Sequence, residues 1–264
     1  VVRNIWLYFR LIAISVKMQM QHRTSFLLLT LALFLSTFME IFGIWVLFDR
    51  FKMIQGWTLK EVALLYGIMN MSFALAEMSA KVFDNFSQLV KRGDFDRVLL
   101  RPLGTLFQIA SSEIQIMRIG RFLQGAIILI YGFREMDLSL FSFQTAVILL
   151  AVIGTFCLFY GLFILSATLS FWTTETLELM NIVTYGGVES GQYPLSIYSP
   201  KFRLFFTFII PLGSVAYYPL ATALRLENFP LWMAVLFPLS GIFFLYLCCQ
   251  AWEFGVRHYH STGS

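Results

Sequence analysis

FLLLTLALFLSTFMEIFGIWVLF, residues 26–48, is 23 residues long and holds one charged side chain, Glu40. A run of about twenty apolar residues is enough for a helix to cross a hydrocarbon core roughly 30 Å thick. His22 and Arg23 precede the run, and Asp49, Arg50 and Lys52 follow it. Trp45 stands near its far end, where an amphipathic indole prefers the membrane interface. The reading is therefore a first membrane span.

The same pattern recurs along the chain. A second span is expected over about Val62–Ala80, with Ala63 and Gly67, then Ala76 and Ala80, as small residues four apart that allow close helix packing. A third has Arg118 and Arg121 at its mouth and ends near Phe133. A fourth covers about Phe143–Leu165 and a last one about Phe229–Gln250. Composition agrees. The 264 residues are 58% hydrophobic and only 13% charged, against about a quarter charged in a soluble domain. A transmembrane barrel would show short alternating segments, and these runs do not alternate. The fold class is an all-α polytopic membrane protein. Cys157, Cys248 and Cys249 all sit inside apolar runs, so neither a disulfide framework nor a thiolate metal site is expected.

The N-terminal stretch, residues 1–23, lacks the short apolar core and small-residue cleavage site of a signal peptide. Arg3, Arg10, Lys17 and Gln21 share one helical stripe, while Ile5, Trp6, Phe9, Leu11 and Ile12 fill much of the rest. That predicts a helix lying in the membrane interface.

Between the second and third spans lies the most charge-dense run, RGDFDRVLLRPLGTLFQ, residues 92–108. Gly93 breaks what precedes it, and Asp94 is placed to cap a helix. Phe95, Val98 and Leu99 fall on one face, with Asp96, Arg97 and Arg101 on the others. Pro102 stops the helix, because the residue before proline avoids the helical region. The shape suits insertion into a groove on a soluble partner. It equally suits a solvated connector.

Lys and Arg set the orientation. The N-terminal arm and the Lys81–Arg121 region carry most of the cations, which puts both in the cytoplasm. The last third reads less simply. Glu175, Glu178 and Asn181 follow at i, i+3 and i+6, and Pro211, Gly213 and Pro219 interrupt the apolar run 204–224. Pattern alone would make residues 204–224 the fifth span and leave Lys201 and Arg203 inside.

RGDFDRVLLRPLGTLFQ resembles the cytoplasmic loop of ATP-binding-cassette exporter permeases of the type-two class. GGVESGQYPLSIYSPKFRLFFTFIIPLGSVAYYP, residues 186–219, is similar to that family's late pattern: a glycine, Pro-x-Ser, a second proline, a basic-apolar run, then Pro-Leu. The resemblance covers essentially the whole chain. It implies six transmembrane helices, an interfacial N-terminal helix and an outer re-entrant helical hairpin before the last span, in one permease domain over residues 1–264. The interfacial helix would be 1–23, the cytoplasmic coupling segment 81–113 and the external re-entrant segment 192–225. The fifth span would run from Ser170 to about Gly187, against the cation count at Lys201, Arg203 and Arg225.

The function so implied is the permease half of an ATP-driven exporter in a bacterial inner membrane, with both termini cytoplasmic. It would pair with a second permease, identical or paralogous. It would dock a separate ATPase subunit through Asp94, Phe95, Asp96, Arg97, Val98, Leu99, Leu100 and Arg101. The cargo would be a lipid, drug or natural product. The sequence has no G-x-x-x-x-G-K-[ST] loop to cradle nucleotide phosphates, so ATP and Mg belong to the partner. The alternative is an ATP-independent ion-coupled carrier with Glu40 as its coupling group, or a membrane scaffold.

No catalytic or metal site is expected. His22, His258 and His260 lack ligand spacing from acidic partners, there is no G-x-S-x-G elbow, and Glu175 and Glu178 have no supporting base. A nucleic-acid partner is not expected. Glu40 and Asn70 sit at similar depth in neighbouring spans. They fit either a translocation path or an interhelical polar contact, as do Glu175, Glu178 and Asn181.

Overall fold

The computed structural model describes residues 10, 12–14, 16–173 and 177–259. Among them, helices run over Arg23–Phe51 (α1), Leu59–Ala80 (α2), Phe86–Lys91 (α3), Asp94–Leu99 (α4), Thr105–Ala110 (α5), Ile119–Glu135 (α6), Phe143–Leu169 (α7), Leu177–Gly191 (α8), Pro200–Leu204 (α9), Tyr218–Ala223 (α10) and Leu231–Arg257 (α11). No strand occurs among the described residues. Of the expected interfacial helix, Arg10, Ile12–Ile14 and Val16–Gln19 are helical, Met20–His22 form a 3-10 turn leading into α1 at Arg23, and residues 1–9, 11 and 15 lie outside the described residues. Gln19 is tied to the chain ahead of α6, accepting from the Ile116 amide at 3.2 Å and donating to the Ile114 carbonyl.

Five helices are long and apolar enough to cross a membrane: α1, α2 with its continuation to Lys91, α6 with the turn before it, α7 and α11. A broken pair, Pro200–Ile209 and Gly213–Ala223, bends by 82° and passes the same test only when its halves are taken together. The break falls at Pro211, between two π-helical turns. The interruption by Pro211, Gly213 and Pro219 therefore gives a sharp bend and not a straight span.

The α2 start is written in its first four residues. Glu61 accepts from the Thr58 amide at 2.7 Å and from the Thr58 hydroxyl, a capping box that fixes where the helix begins. α2 and α7 then form the interior of the bundle, while α1 leaves Leu27, Leu28, Leu31, Leu35, Met39 and Trp45 exposed on its outer face. Small residues set the closest approaches. A Cβ at Gly67 would stand 2.7 Å from Leu129 of α6. A Cβ at Gly241 of α11 would overlap the Gly154 carbonyl of α7. Within a membrane, where lipid is as apolar as leucine, such backbone contact is a main source of helix association.

The two ends of the bundle differ. At one, α4, the close of α7 and the close of α11 meet in an aromatic cluster of Phe86, Phe95, Phe171, Trp252 and Tyr259, with centroid separations from 4.8 to 6.3 Å. At the other, Lys60 pairs with Glu135 at 3.5 Å and Trp57 stacks on Tyr217 at 5.4 Å.

The fifth span departs from the expected bounds. Ser170 and Phe171 belong to the turn closing α7, and α8 as described starts at Leu177 and continues to Gly191, past the expected Gly187. Its 15 residues measure about 22 Å, and it is not among the five spans that pass on length and apolarity.

Candidate functional site: a coupling tip and a buried charge ladder

Gly93 adopts φ +70°, a left-handed turn that glycine takes without a side-chain clash. α4 begins immediately after it. Asp94 therefore occupies the first helical position and makes no capping hydrogen bond, contrary to the cap expected of it. It pairs with Arg97 at 3.6 Å on the surface. The helix ends at Leu99, two residues short of Arg101 and Pro102.

The residues of this tip separate into two sets. Phe95 is wholly buried, its ring 5.2 Å from Phe86 and 5.0 Å from Tyr259. The sequence resemblance places Phe95 among the partner-facing residues, whereas in the structure it holds α4 against its own chain. Val98 is half-buried, and its carbonyl accepts from the Gln108 side chain at 3.0 Å, as does that of Leu103 at 2.8 Å. Asp96 is half-buried as well. Arg97, Leu99, Leu100 and Arg101 point outward, with Leu100 86% exposed. Leu100 thus stands bare beside a helix that Phe95 anchors. The aromatic cluster connects that helix to the ends of α7 and α11.

The second feature lies within the bundle. Glu40 and Asn70 do come together, and the group joining them is Arg121. Its Nε donates to Asn70 Oδ1 at 2.9 Å, its Nη2 lies 3.8 Å from Glu40 Oε2 and its Nη1 lies 4.0 Å from Glu77 Oε2. The guanidinium also stacks over Phe73, 4.9 Å from the ring centroid. Glu77 is fully buried, accepts from the Tyr185 hydroxyl at 2.8 Å and pairs with Arg118 at 3.5 Å. Lys81 bonds both Asp84 and Tyr185. At the other end of the ladder Gln192 donates to Glu40 at 3.4 Å. One chain of charge-assisted contacts thus links α1, α2, α6 and α8. Charged groups at membrane depth are expensive unless paired in this way.

Neither Glu178 nor Asn181 joins the ladder. Glu178 is exposed on α8, and Asn181 is half-buried, its carbonyl accepting from Thr184 at 3.3 Å. Glu175 lies outside the described residues. The ladder's two principal members were missed from sequence. Sequence pattern puts Arg121 at the mouth of its span and does not single out Glu77. A charge inside an apolar run was the signal that singled out Glu40, and it was equally present at Glu77.

α8 buries Met180, Thr184 and Val188 against the bundle and leaves Glu178, Leu179, Ile182 and Glu189 exposed. Among the described residues no group of three or more His, Cys, Asp or Glu side chains is arranged to hold a metal.

These features define a polytopic helical membrane protein with an anchored tip at one end and a charged interior. The family model described as ABC-2 family transporter protein matches residues 34–263. The chain belongs to that family and is a membrane permease component of an ATP-binding-cassette transporter. No curated protein and no solved structure matches the sequence.

Proposed function

We propose that this chain is the permease half of an ATP-driven exporter, docking a separate ATPase subunit through Arg97, Leu99, Leu100 and Arg101 and moving a lipid, drug or natural-product-like cargo outward. The observation that carries the reading is the tip. Its apolar end is bare while its root, Phe95, is fixed in the aromatic cluster. A partner's push on Leu100 would reach α7 and α11 through Phe171 and Trp252. ATP and Mg act in the partner, and the termini and residues 81–113 are cytoplasmic.

A second permease completes the assembly. α8 supports this, because Glu189 has neither a hydrogen bond nor an ion pair among the described residues and stands exposed on a helix of the bundle. A carboxylate there belongs against protein or water and not against acyl chains. Residues 192–225, with their 82° bend, form an outer cap over the paired permeases. The bend supports this, since backbone groups freed at membrane depth need protein or water partners.

Co-purification tests the reading. Tagged wild-type permease should bring down a cytoplasmic ATPase. Arg97→Glu with Leu100→Asp should release it, since an interface anchor contributes about 2 kcal/mol or more. Full retention by the double variant would exclude the tip as the docking site. Failure of the wild type to retain any ATPase would favour the ion-coupled carrier or the scaffold.

A further inference from the structure

The broken pair carries an unbalanced charge. From Gln192 to Pro230 there are three cations, Lys201, Arg203 and Arg225, and one acid, Glu227. Glu227 is engaged by the Tyr217 hydroxyl. Neither Lys201 nor Arg203 has an ion-pair partner among the described residues. Arg203 lines a groove of about 200 Å³ together with Pro200, Leu204, Thr207, Phe208 and Tyr218. Along this element Leu204 is 60% exposed, Phe208 74% and Ile209 64%. The cations thus stand at the start of α9, and the bare apolar surface follows within two turns.

We propose that this groove is a binding site for an anionic phospholipid, with the headgroup phosphate on Arg203, the exposed Lys201 outside the groove adding positive potential nearby, and an acyl chain lying over Leu204 and Phe208. The chemistry is complementary at both ends. Guanidinium is suited to phosphate through its paired donors. Unpaired cations next to apolar surface on a membrane protein match the boundary between headgroups and hydrocarbon. Thr207 is committed to its own helix, donating to the Arg203 carbonyl, so Arg203 is the phosphate donor within the groove and Lys201 acts through its charge. The site lies in the segment preceding the last span, away from the charge ladder and the tip, and it does not depend on which ATPase binds.

The test is native mass spectrometry of the intact permease released from detergent after equilibration with phosphatidylglycerol or phosphatidylcholine of identical chains. Wild type should retain phosphatidylglycerol in preference. Lys201→Gln and Arg203→Gln should each reduce that preference about fivefold, the effect of one cation near an anionic headgroup. Arg203→Lys should keep most of it, which separates charge from folding. Arg134→Gln, removing an exposed cation from the last turn of α6, should leave the preference unchanged. Phe208→Ser should lower retention of both lipids without altering their ratio. Equal retention of the two lipids by wild type, or wild-type preference in the Lys201→Gln/Arg203→Gln double variant, would overturn the proposal. So would unchanged retention in Phe208→Ser.

Discussion

Replacing Arg121 with methionine removes a guanidinium from among three acceptors. The side chain bonds Asn70 at 2.9 Å and reaches carboxylates of Glu40 and Glu77 at 3.8 and 4.0 Å. Methionine keeps an unbranched side chain that can still contact the Phe73 ring. What is lost is the charge, beside a glutamate that is fully buried. Breaking a buried pair from one side destabilises by about 3–5 kcal/mol. The lower end applies here, because Arg118 and Tyr185 still hold Glu77 and Glu40, with a quarter of its side chain exposed, retains Gln192. At roughly 2–4 °C per kcal/mol for a domain of this size, the melting temperature should fall by about 10 °C. Arg121→Lys keeps the charge but loses the planar donor fork, and should fall between the two. The assay is thermal unfolding of detergent-purified permease followed by loss of the monodisperse size-exclusion peak. A melting temperature within about 2 °C of wild type would show that the ladder is not a structural brace, and the reasoning would fail.

Two further predictions follow from the same structure. Phe95→Ala empties a fully buried aromatic site and should destabilise the tip by about 3 kcal/mol or more, whereas Leu100→Ala should change stability by less than about 0.5 kcal/mol. Limited proteolysis between Lys91 and Arg101 separates them, and equal protection of both variants would contradict the assignment of Phe95 as root and Leu100 as tip. A single cysteine at Lys201, with Cys157, Cys248 and Cys249 replaced by serine, should react with a membrane-impermeant maleimide in intact cells. Labelling only after lysis would place residues 192–225 in the cytoplasm.

The class of fold was legible because it rests on local pattern. Five apolar runs became five helices, four of them within about four residues of their expected ends and the last running on to Arg257, seven residues past Gln250, and Pro211 falls at the break. Pairing across the bundle was not legible. Phe95 lies in one short helix and Leu100 directly follows it, both are apolar, and periodicity puts Phe95 with Val98 and Leu99. Which of them turns inward depends on Trp252 and Tyr259, more than 150 positions further along the chain. Glu40 and Asn70 were paired by depth alone, and their actual link is Arg121 from a third helix. Helix α8 was hard to place because its apolar stripe faces the bundle while Glu178 and Glu189 stand on the opposite face. Mean hydropathy averages those faces together.

Docking through the tip is the claim on which the functional account depends, and a photocross-linker placed there tests it most directly. Leu100→Cys in the cysteine-free background, carrying a benzophenone maleimide, should yield on irradiation of membranes one adduct with an ATP-binding subunit. The same probe at Leu140, 78% exposed in the α6–α7 turn at the opposite end of the bundle, should yield none. Adducts with the ATPase from position 140 and not from 100, or none from either in membranes shown to contain the assembled ATPase, would contradict the account.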